Sequence, residues 1–280
     1  MRLSDAFGIK AKEVVSFVGA GGKTTSMFQL ARELSENHRV VTTTTTRLAE
    51  SQITLAPFVI RVQGQNYARA LVDLRKALKE QSHVLVVSAQ TEDDKVLGVD
   101  PLFIDQIVAL DQVDHVLIEA DGARLKDLKA PSEHEPLIPT STTLLVPVVG
   151  LNVLGKPLDE QYVHRVDHVT ALTHVEPGTQ VDEDLIVRLT LDEKGGMKNR
   201  PWHAPAIPLL NQVATDTHFK AARSIGHRLL QSVLVEAVAI GAVQNAIDPV
   251  QETLRRVTAI VLAAGAGTRM EGRIKQLLDW

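Results

Sequence analysis

The sequence predicts an α/β protein built on a mostly parallel sheet with helices on both faces. Three observations carry that reading: short β-branched runs alternate with segments of helical period, the strands are apolar throughout, and the first strand ends in glycines that open a helix. "EVVSFV" (13–18) reads as a buried strand, followed by a helix over about 23–36. "RVVTTTTTR" (39–47) begins as a strand, "PFVIRV" (57–62) is another, and "NYARALVDLRKALKE" (66–80) has the three- and four-residue apolar spacing of a helix. Next come the strand "HVLVVSA" (83–89), a short helix near 101–110, and "HVLIEADGA" (115–123). "TTLLVPVV" (142–149) and "PAIPLLN" (205–211) are further buried strands, and 219–233 is a helix. Residues 150 to 200 are helical and polar, and read as a helical insertion at the edge of the sheet. Domain boundaries follow: a nucleotide-binding unit over 1–245, a linker over 246–256, and at 257–280 a new strand-and-glycine-loop unit too short to complete a domain.

Bulk properties exclude several functions. Charged residues make up 23%, the net charge is −4 and aromatics are 4%, so neither a basic field nor a stacking platform recruits nucleic acid. The chain has no cysteine, which removes disulfides and thiolate metal sites. No stretch approaches the roughly 20 apolar residues of a membrane span. The expected setting is cytoplasmic, with no membrane partner.

The chemistry centres on "GAGGKTT" (19–25). A strand that ends in glycines and opens a helix gathers backbone N–H groups at the positive end of the helix dipole, an arrangement that binds phosphate. Gly19, Ala20, Gly21 and Gly22 form the loop, Lys23 reaches the β- and γ-phosphates, and Thr24 and Thr25 follow, Thr24 as a ligand of Mg²⁺. The longer G-x-x-x-x-G-K-[ST] spacing would place a glycine at Phe17, so the fit is to the shorter G-x-x-G-K-T-T. The expected fold is therefore P-loop NTPase-like, with a small-molecule nucleotide, ATP or GTP, as ligand. Glu119 and Asp121 at the end of "VLIEADGA" are the expected acids: one holds Mg²⁺ and the other orients a nucleophile. Thr45, past the end of the polythreonine strand, is a further candidate metal ligand. On "KAPSEHEP", Lys129 is the candidate for neutralising transition-state charge and His134 for general acid–base work. "VHRVDH" sets His164 and His168 four apart on one expected helix face, read as a polar pair rather than a metal site. In "LLNQVATDTH", Asn211 stands where a guanine-reading motif begins, yet Ala214 replaces its aspartate, so the base stays open.

The strings "FVGAGGKTT", "VVTTTTTR", "IEADGARLKDLKAPSEHEPLIP", "GKPLDEQYVHR" and "PLLNQV" occur in this order in the YqeC family, which the chain resembles over roughly residues 5 to 245. That family is described as selenium cofactor biosynthesis, or selenium-dependent hydroxylase accessory, proteins. The resemblance implies a nucleotide-binding accessory protein whose partner is a molybdenum hydroxylase or a cofactor-biosynthesis enzyme. Three activities fit it: triphosphate cleavage, nucleotide-gated delivery of a cofactor with little turnover, or transfer to a small acid as in the Mur ligases. The tail "AIVLAAGAGTRM…KQLL" resembles the opening of a MobA-like molybdenum cofactor cytidylyltransferase, with Arg269 and Lys275 as its triphosphate contacts. Glu271 departs from that pattern, where a glycine is usual.

Overall fold

In the computed structural model, which describes residues 1–91 and 94–256, the apolar runs pair into one sheet of nine strands. The strands that build the site are β1 (Val14–Gly19), β2 (Val40–Thr44), β7 (His115–Glu119), β9 (Leu144–Gly150), β11 (Leu209–Asn211) and β12 (Ala237–Gly241). With β4 (Val59–Arg61), β5 (His83–Val87) and β13 (Val250–Arg255) they run in the order β13-β12-β11-β9-β1-β7-β2-β5-β4. All neighbours are parallel except β12 and β13. Two short ribbons lie outside the sheet: β3 (Arg47–Ala49) with β6 (Lys95–Leu97), and β8 (Leu128–Lys129) with β10 (Val163–His164).

Alternation along the strands divides the core in two. On one face Val15, Phe17, Leu117 and Val146 pack against α1 (Leu3–Phe7), α2 (Lys23–Leu34) and α3 (Glu50–Ile53). On the other, Val14, Val18, Val116 and Leu145 meet α4 (Tyr67–Ala77), α5 (Pro101–Val108), α6 (Val166–Thr173), α7 (Glu183–Leu191) and α8 (Asp216–Leu229). Helices thus cover both faces, as the continuous apolar strands require. Among the described residues, no helix is long and apolar enough to cross a membrane.

The main sequence expectations appear with boundaries moved by a few residues. Three details differ. The 150–200 insertion lies over a sheet face rather than at its edge: Val153, Leu158, Val169, Leu185 and Ile186 join the core formed by Val149, Leu210 and Ile225. Residues 250–255, expected as linker, form β13, which pairs antiparallel with β12 from Ala237↔Arg255 to Gly241↔Val250. An edge strand in which only Val250 and Leu254 are buried, among Gln251, Glu252 and Arg255, carries a polar composition that reads as linker. His164 lies in β10, and Arg165 at φ 63° separates it from α6, so His164 and His168 do not share a helix face. The expected cytidylyltransferase opening at 257–280, with Arg269, Glu271 and Lys275, lies outside the described residues.

His83 begins β5 beneath Phe28, with Nε2 2.9 Å from the Thr42 hydroxyl, and burial pushes its pKa down to about 4. An unfolded chain protonates this histidine near its ordinary value of 6.5. Between those values the unfolded state binds the extra proton, so stability rises with pH and is lost on acidification, by at most about 1.4 kcal/mol per pH unit. Thermal midpoints from pH 7 to 4.5 should fall less steeply in His83→Gln than in the wild type. Parallel slopes would refute this assignment.

Candidate functional site

The carboxyl ends of the central strands meet at one edge of the sheet, where open α/β sheets bind ligands. Register brings their terminal residues together: Phe17 and Thr44 both pair with Glu119, Gly19 with Val148, and Asn211 with Gly150. The turn from β1 into α2 fits this crowded edge because of its glycines. Gly21 has φ +81°, and a Cβ there would lie 2.2 Å from the Gly150 nitrogen; Gly22 has φ +122°, and a Cβ would meet Asn211 Nδ2 at 2.4 Å. Any side chain would strain the backbone and collide with a neighbour.

The loop's amides fall into two sets. Three are committed within the protein: Gly19 N donates to Asp121 Oδ2 (3.1 Å), Ala20 N to Val148 O (2.9 Å) and Gly21 N to Lys126 O (2.9 Å). The next four, of Gly22, Lys23, Thr24 and Thr25, donate to no acceptor among the described residues. These are the free donors of a helix's first turn, at the positive end of its dipole. Of the residues expected to meet phosphate, Gly22 to Thr25 thus carry the donors without acceptors, and Gly19 to Gly21 do not.

Six ionisable side chains alternate in sign from this cradle into the insertion. Glu119 Oε2 accepts from the Thr24 hydroxyl (2.6 Å), while its other oxygen lies 3.9 Å from Lys23 Nζ. Lys23 donates to Gly19 O (2.6 Å) and pairs with Asp121 Oδ1 at 3.2 Å. Asp121 Oδ2 pairs with Lys129 Nζ at 2.9 Å, and Lys129 also donates to Gly122 O (2.7 Å) and Glu135 Oε2 (3.0 Å). Arg165 closes the series on Glu135 at 2.6 Å. Burial pushes the Glu119 carboxyl above the usual range, against the pull of Lys23 and Thr24. Burial also acts to raise Glu135, but the Arg165 hydrogen bond and the Lys129 charge outweigh it and hold its pKa down to about 2. Asp121 Oδ1, fully enclosed, makes no hydrogen bond and has only its ion pair.

The residues singled out by sequence therefore have distinct placements. Lys23, Thr24, Glu119, Asp121 and Lys129 converge, and Thr25 is exposed on the first turn of α2. Thr45 adjoins them, but its hydroxyl donates to Leu137 O (2.8 Å). His134 is exposed and makes no hydrogen bond or ion pair among the described residues; its neighbour Glu135 joins the charge series instead. Asn211 acts as a brace: Nδ2 donates to Gly21 O (2.7 Å) and Oδ1 accepts from Val243 N (2.9 Å), tying the loop to the end of β12. Sequence reasoning missed Gly150, against which Gly21 packs, and Gln212, whose Nε2 donates to Asp127 Oδ1 (2.7 Å) beside it. Gly150 stood at the end of an apolar strand, a signal of close backbone approach. Among the described residues, no three His, Asp or Glu side chains gather as a metal cluster. Two surface clefts, of about 350 and 460 Å³, open elsewhere, near Lys10 and Glu13 and near Trp202 and Arg256.

The family model and a curated relative agree with the quoted strings. The family model described as YqeC protein matches residues 15–167. YqeC of Escherichia coli (strain K12) is 33% identical over 236 residues, spanning 84% of this chain and 90% of that protein. Among solved structures, chloroplast FtsY from Physcomitrella patens aligns at a TM-score of 0.41 and 14% identity, covering 88% of this chain; the chain spans 63% of that one.

Lys129 has a side chain only 1% exposed between two carboxylates, so removing it leaves Asp121 and Glu135 short of a partner in a dry setting. Lys129→Met should lower stability by about 3–5 kcal/mol at pH 7, read from urea unfolding. An unchanged midpoint would show that the charge series contributes nothing.

Proposed function

This chain belongs to the YqeC family, and we propose that it binds a nucleoside triphosphate with Mg²⁺ on the turn into α2 and cleaves the terminal phosphoanhydride, as an accessory protein in the maturation of selenium-dependent molybdenum hydroxylases. One observation carries the reading: four consecutive first-turn amides, without acceptors among the described residues, lie beside Lys23, whose ammonium already bridges the loop and Asp121. Amides so arranged favour a polyphosphate, and water is a poor substitute for its fixed charges.

The donors suit Mg²⁺. An enclosed Asp121 oxygen without a hydrogen bond, the Thr24 hydroxyl and the Glu119 carboxylate are hard oxygen donors. Mg²⁺ is commonly held by one or two carboxylates together with substrate phosphates, which needs no larger protein cluster. Thr24 with Asp121 or Glu119 would hold the ion, which would neutralise charge on the β- and γ-phosphates. Thr45, whose hydroxyl donates to Leu137 O, keeps its oxygen lone pairs and is a further donor at the edge of that set. Lys23 would exchange Gly19 O and Asp121 for phosphate oxygens, and positioning would supply most of the rate. With both ends of its amide occupied, Asn211 supports the loop rather than reading a base, so the proposal covers ATP and GTP alike.

Lys23→Ala should retain the fold by circular dichroism and lose triphosphate affinity by about 100-fold or more, measured by calorimetric titration. Unchanged affinity would rule out the loop as the site. Asp121→Asn should weaken binding in Mg²⁺ more than binding in EDTA; equal losses in the two buffers would remove its metal role.

A further inference from the structure

We propose that Arg124, His164 and Arg165, next to the enclosed Lys129, form a subsite beside the nucleotide loop that binds the oxyanion group, carboxylate or phosphate, of a small second substrate. Its role as a second-substrate site rests on the nucleotide reading; its occupancy by an anion does not.

The geometry begins with the two-residue ribbon. β8 and β10 run parallel with His164 paired to Lys129, which places an insertion histidine one residue pair from Asp121's own partner. His164 is only 6% exposed, yet its ring makes no hydrogen bond among the described residues. Its ring nitrogens are not enclosed, unlike His115 Nδ1, and so are open to a ligand. The chain then turns left-handed at Arg165 (φ 63°), which carries the guanidinium onto Glu135 at 2.6 Å. Arg124 (φ 47°), whose charge reaches His164, and Leu125 (φ 60°) are consecutive left-handed residues, a conformation uncommon outside glycine. Such strain marks segments held for a purpose other than packing. Leu125 is 97% exposed, so no burial repays it.

Charge at the subsite is unbalanced in favour of an anion. Asp121 and Glu135 offset Lys129 and Arg165, while Arg124 makes no ion pair among the described residues. The histidine registers that field: burial first, then the charges of Arg165, Lys129 and Arg124, draw its pKa down to about 4, with Glu135 alone opposing them. At neutral pH the ring is thus uncharged, with one N–H to donate, and the two guanidiniums supply the planar donor forks that match carboxylate and phosphate. Since Lys129 contacts Asp121 directly, an anion held here lies next to the acidic end of the nucleotide site.

The test follows the His164 imidazole resonance of the full chain, assigned by its loss in His164→Gln, as orthophosphate and, separately, acetate are added at pH 7. One or both anions should shift it saturably in the wild type and in Lys23→Ala. The affinity should fall about tenfold or more in Arg124→Ala, whose exposed side chain can be removed without disturbing the core, and likewise in Arg165→Ala. No saturable shift with either anion, a shift abolished by Lys23→Ala, or one indifferent to Arg124→Ala would overturn the subsite. A wild type that fails to bind ATP while keeping the His164 shift would overturn the nucleotide reading and leave the subsite standing.

Discussion

The structure at the carboxyl edge depends on six ionisable groups in alternating order, four of them buried and two half-buried. Each such group carries a desolvation penalty of several kcal/mol, and a lone one would simply neutralise or be expelled. Alternation removes the penalty pairwise: Lys23 lies between Glu119 and Asp121, Lys129 between Asp121 and Glu135, and Arg165 ends the series where its side chain is 24% exposed. The order is imposed by topology. β1 and β7 are direct neighbours, so the loop lysine and the acidic strand end meet without an intervening strand. The β8–β10 ribbon then places the second lysine and the arginine in line. A shift of one residue in any of these pairings would turn a charge towards the sheet and leave its partner bare.

Sequence disclosed the parts of this arrangement that local chemistry demands. Gly21 and Gly22 need left-handed backbone, Lys23 opens a helix, and Glu119 and Asp121 end an apolar strand; each is visible in a window of ten residues. The parts that escaped depend on distant partners. Ribbons two residues long have no periodicity, so Val163–His164 reads as the start of a helix and Leu128–Lys129 as loop. β13 is an edge strand in which only Val250 and Leu254 are buried, so its polar composition resembles a linker. Gly150 is an ordinary glycine until Gly21 is found against it.

The division of the loop amides shows the same limit. The glycine pattern marks Gly19 to Gly22 as the phosphate cradle, but Gly19, Ala20 and Gly21 use their N–H groups to fasten the turn to Asp121, β9 and the 122–127 segment. These glycines are selected by close approach: they let the turn sit against Gly150 and Asn211 so that the following four amides face outward. Asn211 completes the fastening from the far side, linking Gly21 O to Val243 N. Asn211, expected from sequence as a ligand contact, thus also shapes the turn itself.

That fastening also defines what a ligand has to displace. Lys23 is held by one neutral carbonyl and by carboxylates that share their charge with Thr24, Gly19 and Lys129. If a polyphosphate binds as proposed, releasing Lys23 to it would exchange partly satisfied anions for a more highly charged one, which favours the exchange. It would also strip Asp121 of one of its two cations, which is the condition under which a divalent ion becomes the natural replacement. On the proposed reading, nucleotide and metal would be coupled through Asp121, whose other cation, Lys129, is shared with Glu135 and through it with Arg165.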